Sequence, residues 1–316
     1  MMARCVMPVV ATLVLGLLAF GQLAGEAAVK SDHDSAFARL PPDGATLDAI
    51  PLVEGGEPAL SPDNRTVAFV RYGSGVWLYD LKTKSEWRVC ANSNAHAVSW
   101  SPDGRQMAFQ GDDTLVTYGK FWIWMVNRDG RRLRKLEESG PHDQYPRWAP
   151  DGAHIAWSRG ERLYVADTAG QSGRYLTCSR GPGLFEMVLA WAPDGKHLLY
   201  IRSTDRNQSI YEMRRLGSDS TDDRPDPTGI APGNLWYSQL SPDGSLLCRG
   251  DADRAFSLTA HGESGETRHY MVADSSYMRI GRVVVSGDHR FALFDNDVGR
   301  WRHRIWKVPL RGSAER

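Results

Sequence analysis

The chain has 316 residues, 41% of them hydrophobic, and its 38 basic and 38 acidic side chains cancel to a formal net charge of zero. That balance excludes a field-driven case for nucleic-acid or anionic-lipid binding. The small basic group Arg302, His303, Arg304 and Arg311 reads as a solvated strand face.

In chain order, residues 1–28 read as a secretory signal. Arg4 supplies the charged start, Val9 to Phe20 the apolar stretch, and Gly25-Glu26-Ala27 a small-x-small cleavage site, with Ala24 as a rival position. The apolar run is short for an ordinary membrane span, an uncleaved anchor being the alternative. Cys5 precedes the apolar stretch, which argues against lipoprotein-type processing. The expectation is export, to a periplasm or beyond. Residues 29–45 predict a flexible polar lead, and residues 46–316 the folded domain.

From there the pattern Ser-Pro-Asp-Gly recurs at intervals of 40 to 49 residues. It begins at Ser61, Ser101, Ala149, Ala192 and Ser241, with Asn64 in place of the first glycine and a worn sixth copy at Ser286-Gly287-Asp288-His289. A fixed period of this length marks a repeat architecture. Proline presets φ at the second turn position, Asp bonds its own backbone, and Gly or Asn suits the last position. The sixth copy inverts this chemistry, so its turn is expected to be looser. A large apolar residue precedes each turn: Leu60, Trp100, Trp148, Trp191, Leu240 and Val285.

After each turn, apolar residues fall two apart, as in Val67 and Phe69, Met107 and Phe109, Ile155 and Trp157, Leu198 and Tyr200. This is strand periodicity with one face turned to a core. A second strand follows (Val76 to Leu81, Phe121 to Asn127, Leu163 to Asp167, Ile210 to Arg214, Ile305 to Val308), then a shorter polar one. The fold class is therefore all-β: a six-bladed β-propeller of four-stranded antiparallel blades. The sixth repeat stops near Arg311, after its third strand. Leu47 to Glu54 reads as the N-terminal strand that completes the last blade and closes the ring.

The run Trp-Ser-Pro-Asp-Gly with its alternating strand, as at Trp100 to Phe109, resembles the TolB-type propeller repeat, over roughly residues 46 to 311. Similar blades form the propellers of prolyl-oligopeptidase-like enzymes. The resemblance is specific for fold and carries little about function, because one fold hosts unrelated activities. Full-length TolB proteins have a further α/β domain before the propeller. About twenty residues separate the signal from the first blade here, which sets a Tol-Pal role in doubt. Gly170-Gln171-Ser172-Gly173 and Gly262-Glu263-Ser264-Gly265 each miss the Gly-x-Ser-x-Gly nucleophile elbow by one residue and sit in hairpin contexts. The repeats leave no length for a hydrolase domain, so a peptidase relative would be a gating propeller without its enzyme.

The repeated turn aspartates Asp63, Asp103, Asp151, Asp194 and Asp243 read as structural. Asp219, Asp222, Asp223 and Asp226 lack the alternation and glycine of a calcium loop and read as a solvated hairpin tip. Cys90, Cys178 and Cys248 fall in blades one, three and five, too far apart for disulfides, and are expected to be unpaired and mostly buried. Binding is expected at the loops linking each outer strand to the next inner one, which gather at one mouth of the channel. Counting back from each turn places Glu57, His96, Tyr145, Glu186, Trp236, Tyr237 and Arg282 there. Trp236 and Tyr237 form an adjacent aromatic pair with no packing slot in the repeat, a combination typical of interface anchors. His96 and His142 come from consecutive mouth loops. Oligogalacturonate-lyase-type propellers hold a metal through channel histidines, but no third histidine falls in an equivalent loop, so no metal or other cofactor is expected.

The reading is an exported, non-enzymatic propeller that binds a protein partner or an envelope polymer through its channel mouth. It expects no nucleic acid and no membrane span after signal cleavage. The alternatives are a metal-assisted, lyase-like carbohydrate-active enzyme in the same channel, and an orphan gating propeller of the peptidase kind.

Overall fold

A computed structural model describes residues 49–112, 119–169, 171–178, 185–203, 211–217, 223–225, 239–240, 246–252, 255–261, 267–274, 280–297 and 303–309. Every regular element among them is a β-strand. The first strand is β1 (Ile50–Glu54). One sheet follows as β2 (Gly56–Leu60), β3 (Thr66–Arg71), β4 (Gly75–Asp80) and β5 (Glu86–Cys90). The next comprises β6 (His96–Trp100), β7 (Gln106–Gly111), β8 (Trp122–Asn127) and β9 (Arg134–Lys135). The third holds β10 (Asp143–Trp148), β11 (His154–Arg159), β12 (Arg162–Asp167) and β13 (Gly173–Tyr175). The fourth holds β14 (Glu186–Trp191), β15 (His197–Ser203), β16 (Tyr211–Gly217) and β17 (Asp223–Pro225). The fifth holds β18 (Gln239–Leu240), β19 (Leu246–Ala252), β20 (Ala255–His261) and β21 (Thr267–Asp274). The chain then runs through β22 (Ile280–Val285), β23 (Phe291–Asp297) and β24 (His303–Pro309).

All of these pair antiparallel, each four-stranded sheet being a meander of consecutive strands with one exception. In the last sheet the order is β1-β24-β23-β22, so the N-terminal strand supplies the outer member beside β24. The first strands of successive sheets stand side by side: β22 by β2, β2 by β6, β6 by β10, β10 by β14, β14 by β18. They form an inner wall. The first and last sheets also share one core, in which Val67, Phe69 and Tyr79 meet Val53, Phe291, Leu293 and Ile305. Across 223 residues of sequence, the Gly287 N–H donates to the Asn64 side chain (2.9 Å), joining the sixth turn to the first.

The turns explain the repeat. Ser61 Oγ donates to Asp63 (2.5 Å) and accepts from the Thr66 N–H (2.9 Å), while the Arg65 N–H donates to Asp63 (3.0 Å). The same bonds recur around Ser101 and Asp103. The fourth turn residue is left-handed in each described copy: Asn64 (φ 57°), Gly104 (φ 68°), Gly152 (φ 70°), Gly195 (φ 64°) and His289 (φ 55°). The sixth turn is not looser. Ser286 and His289 make the same closing bonds (Ser286 N–H to Phe291 O and His289 N–H to Ser286 O, both 2.9 Å), because Ser286 and Asp288 keep the two acceptors that matter.

Strands β3, β7, β11, β15 and β23, each following a turn, are buried on both faces rather than one. Its alternation is large against small. Met107 and Phe109 pack on the preceding sheet, and Ala108 lies against the following one. Ile155 and Trp157 face back while Ala156 faces forward. A large residue facing a small one lets neighbouring sheets approach to ordinary packing density. The pre-turn tryptophans fasten the same interfaces. Trp100 Nε1 donates to Ala59 O (3.0 Å) and Trp191 Nε1 to Arg147 O (3.1 Å), each reaching the inner strand of the sheet before.

Candidate functional site

The inner strands share a local irregularity. Across the ladder two residues face one: Glu57 and Pro58 oppose Phe69, Ala97 and Val98 oppose Phe109, Tyr145 and Pro146 oppose Trp157. These are β-bulges. The residue four before each turn takes a left-handed backbone in Glu57 (φ 54°), Ala97 (φ 53°) and Tyr145 (φ 56°), an uncommon conformation for residues with a Cβ. A bulge also frees a backbone N–H, which must find an acceptor if buried. The preceding sheet provides it. The Ala97 N–H donates to Glu57 Oε2 (2.7 Å), the Tyr145 N–H to Gln110 Oε1 (2.8 Å) and the Val188 N–H to Ser158 Oγ (3.1 Å). The inner strands β6, β10 and β14 are thereby held by a polar side chain of the sheet before.

Glu57 is the centre of this wall. Its Oε1 lies 2.6 Å from His96 Nδ1 and 3.5 Å from the Tyr72 hydroxyl. The Tyr72 ring, 45% exposed, packs between His96 and His303 with centroids at 5.5 and 5.0 Å. His96 also meets Phe121 edge-on at 6.3 Å, and His303 Nδ1 lies 3.5 Å from Asp295. Burial pushes the Glu57 carboxyl up, but the His96 charge and bond, the Ala97 N–H and Arg282 outweigh it and hold it down at about 2. Burial conversely lowers His96, yet the Glu57 carboxylate, its hydrogen bond and Asp112 raise the imidazole above its ordinary value. Each partner thus favours the charged form of the other.

Two arginines share the wall. Arg147, two residues before its turn, donates from Nε to Leu189 O (2.6 Å) and from Nη1 to Pro146 O (2.9 Å). Burial and repulsion from Arg282 bring it down to about 9, with Glu57 and Tyr145 acting in the opposite sense. Arg282 is likewise lowered by burial, opposed by Glu57 and Asp295. Its backbone N–H donates to Asp295 Oδ1 (2.6 Å).

Of the residues expected at the mouth, Glu57, His96, Tyr145 and Arg282 thus stand on adjacent inner strands. Glu186 is buried and committed to a structural ion pair, 2.8 Å from Arg202 Nε, with a further bond from Thr177. Asp143 and Arg159 repeat that pair one sheet earlier (2.9 Å). Trp236 and Tyr237 lie outside the described residues, as do the signal and lead segments. His142 donates its backbone N–H to Phe121 O (3.1 Å). Among the described residues, no three of His, Cys, Asp and Glu are placed to hold a metal ion. Cys90 is free and buried, whereas Cys178 is free but exposed, because the sheet's last strand ends at Tyr175 and Cys178 lies beyond it.

Tyr72, Gln110, Arg147, Asp295 and His303 were not anticipated from the sequence. Arg147 had a readable signal, since the same position of the other copies holds Ala59, Ser99, Ala190, Gln239 and Val284, none of them charged. The bulges had one too: proline inside an inner strand, as at Pro58 and Pro146, is tolerated at bulges.

The family model of the TolB beta propeller domain matches residues 52–269, more than half of the chain. The chain belongs to that family. Among curated relatives, the Tol-Pal system protein TolB of Anaeromyxobacter dehalogenans (strain 2CP-1 / ATCC BAA-258) is 31% identical over 94 residues, 29% of this chain and 21% of that protein. An uncharacterized peptidase, YuxL of Bacillus subtilis (strain 168), is 29% identical over 122 residues, 34% of this chain and 18% of that one. The chain therefore matches only about a fifth of the length of these relatives. Among solved structures, a putative TolB from Agrobacterium tumefaciens superposes with a TM-score of 0.59 at 18% identity, covering 82% of this chain and 92% of that one. An oligogalacturonate lyase in complex with manganese gives 0.55 at 15% identity, covering 80% and 76%. These likenesses establish the propeller fold, and in a propeller the inner strands surround a central channel.

Proposed function

We propose that this TolB-type propeller is an exported, non-enzymatic binding module. Its six sheets act as six blades, β1 closes the ring as the outer strand of the last blade, and the ligand is a protein partner or an envelope polymer engaged at the channel mouth. The observation that carries this reading is the inner wall in which Glu57, Ala97 and Tyr145 take left-handed backbones and Glu57 bonds His96, with the half-exposed Tyr72 ring at its rim. Left-handed non-glycine residues repeated at one end of a rigid scaffold mark a surface kept for recognition rather than for stability. Residues 1–28 act as the export signal in this reading, and Trp236 and Tyr237 extend the aromatic rim. Among the described residues, no helix is long and apolar enough to cross a membrane.

The likeness to a lyase in complex with manganese motivates a second reading, a metal-assisted enzyme in the same channel. One experiment separates the two. The mature protein and its Trp236→Ala/Tyr237→Ala form are cross-linked in the native envelope, and metal content is measured on the same preparations. A partner captured by the unmutated protein alone supports the binding module. Equal recovery from both forms refutes the mouth as its site, and a stoichiometric transition metal with no partner favours the enzyme.

A further inference from the structure

The hairpin after β8 concentrates charge in a chain whose net charge is zero. Of the eight residues from Arg128 to Lys135, five are basic and Asp129 alone is acidic. The hairpin lies beside the Ser101 turn, where the Arg128 N–H donates to Arg105 O (2.8 Å), and this brings up Arg105, whose side chain is 85% exposed. The nearby acids are engaged. Asp129 Oδ1 accepts the Arg131 N–H (2.9 Å), and Oδ2 lies 3.9 Å from the Nε of Arg131, itself an 84% exposed side chain. Glu137 and Glu138 follow β9, and the Glu138 carboxylate accepts from the Tyr164 hydroxyl (2.8 Å) of the third sheet.

The same hairpin departs from the ladder. Met125 faces Arg134, and the Asn127 N–H donates to Arg131 O (2.9 Å), so Arg132 and Leu133 together oppose Val126. A bulge of this kind re-aims the side chains it carries. It opens a groove of about 370 Å³, to which Met125, Val126 and Leu133 give an apolar lining and Arg132 and Arg134 the charge. Gln106 and Asn127 complete it, with Gln106 Nε2 donating to Asn127 Oδ1 (3.1 Å). Arg134 is fixed from the third sheet, its Nη2 donating to Thr168 O (2.7 Å). Leu133 is 45% exposed.

Charge and shape together select the occupant. The forked donors of arginine match the two oxygens of a carboxylate. Arg132 and Arg134 stand two residues apart and line one groove, and acidic side chains at alternate positions of an extended peptide share one face with the same period. The paired amides offer its backbone donors and acceptors. The apolar lining packs on the methylenes that carry the carboxylates. An anionic membrane would need a wider apolar face than the single exposed Leu133 provides. We infer that this groove docks an extended acidic segment of a partner protein, its carboxylates paired with Arg132 and Arg134 and with Arg131 beside them. The site lies at the turn end of the second sheet, away from the channel mouth, and does not depend on the reading of that mouth.

Fluorescence anisotropy of the mature protein is measured with a labelled peptide, Glu-Leu-Glu-Leu-Glu, beside its uncharged counterpart Gln-Leu-Gln-Leu-Gln. Saturable binding of the acidic peptide alone is expected. Arg131→Gln/Arg132→Gln is expected to weaken it by at least about tenfold, the scale of one charge-assisted hydrogen bond. Its Tm is expected to stay unchanged, because both side chains are exposed. Arg132→Lys keeps the charge, loses the fork and is expected to retain part of the affinity. Arg65→Gln/Arg290→Gln removes two exposed charges from the first and sixth turns and is expected to leave binding intact. Equal weakening by the two double variants would reduce the effect to net charge and overturn the proposal. So would acidic and uncharged peptides that bind alike, or capture by phosphatidylglycerol vesicles without peptide binding. The Trp236→Ala/Tyr237→Ala form separates this site from the mouth. Peptide binding lost in that form refutes the inference, whereas binding retained there leaves it standing even if no partner is captured at the mouth.

Discussion

Replacing Glu57 with Gln tests whether the inner wall is held by charge or by shape. Gln keeps the volume and can still accept the Ala97 N–H, so the substitution removes only the charge that faces His96 and Arg282. On folding the carboxyl moves from 4.5 to about 2, and a displacement of that size corresponds to about 3 kcal/mol of preference for the charged form. The side chain is 24% exposed, so solvent screening removes little of this. For a domain of this size the loss is expected to lower Tm by roughly 4–10 °C. The pH dependence has a definite sign. Glu57 is lowered by folding, so its contribution is complete above pH 4.5 and fades as pH falls toward 2. His96 is raised by folding, so its contribution is complete below pH 6.5 and is lost as pH rises through its folded value. The difference between the two proteins is therefore largest between about pH 5 and 6.5 and shrinks on both sides. Urea unfolding of both forms from pH 3 to 9 measures it. A difference below about 1 kcal/mol at pH 6, or one that stays constant across the range, would refute the charged-pair argument.

Three further sets of changes probe the scaffold. Trp148→Ala is expected to cost about 3–5 kcal/mol. Among the described residues its indole N–H has no partner, so Trp148→Phe is expected to cost about 1 kcal/mol less than Trp100→Phe, which also loses the bond to Ala59 O; equal losses in urea melts would contradict this. Glu186→Gln removes the buried carboxylate paired with Arg202 and is expected to cost about 3–5 kcal/mol, whereas Arg71→Gln, at a more exposed pair with Glu86, is expected to cost under about 1 kcal/mol. Gly152→Ala is expected to cost about 1 kcal/mol with no steric component, since no atom lies within 4 Å of the added Cβ and only the φ of 70° is strained. Gly152→Asn should cost less, because Asn64 already fills that position in the first turn; differential scanning calorimetry of the two variants decides.

The repeat was legible because its parts are local. A Ser-Pro-Asp-Gly turn writes its hydrogen bonds within six residues, from Ser61 to Thr66, and a strand of period two follows from the pleat alone. The alternation could not say what its second face met. Ala68, Ala108 and Ala156 read as weak strand positions, yet each is buried because a neighbouring sheet packs on it. Burial of that kind depends on residues some forty positions away. The worn sixth turn misled for a related reason: its residue order suggested looseness, while the acceptors of Ser286 and Asp288 kept the geometry.

For the site, counting back from each turn picked out Glu57, His96, Tyr145 and Arg282, four or five residues before it, and all four stand on inner strands. The same count offered Glu186, whose charge turned out to be spent on Arg202, sixteen residues on and inside its own sheet. The sequence by itself determined the repeat, the turn chemistry and the succession of strands within each unit, since each depends on spacing within one unit. Only the tertiary structure decided that Glu57 meets His96 from the next sheet and that Tyr72 bridges it toward His303. Those pairings cross between sheets, where Coulomb interaction and burial depend on distances in space that no spacing along the chain encodes.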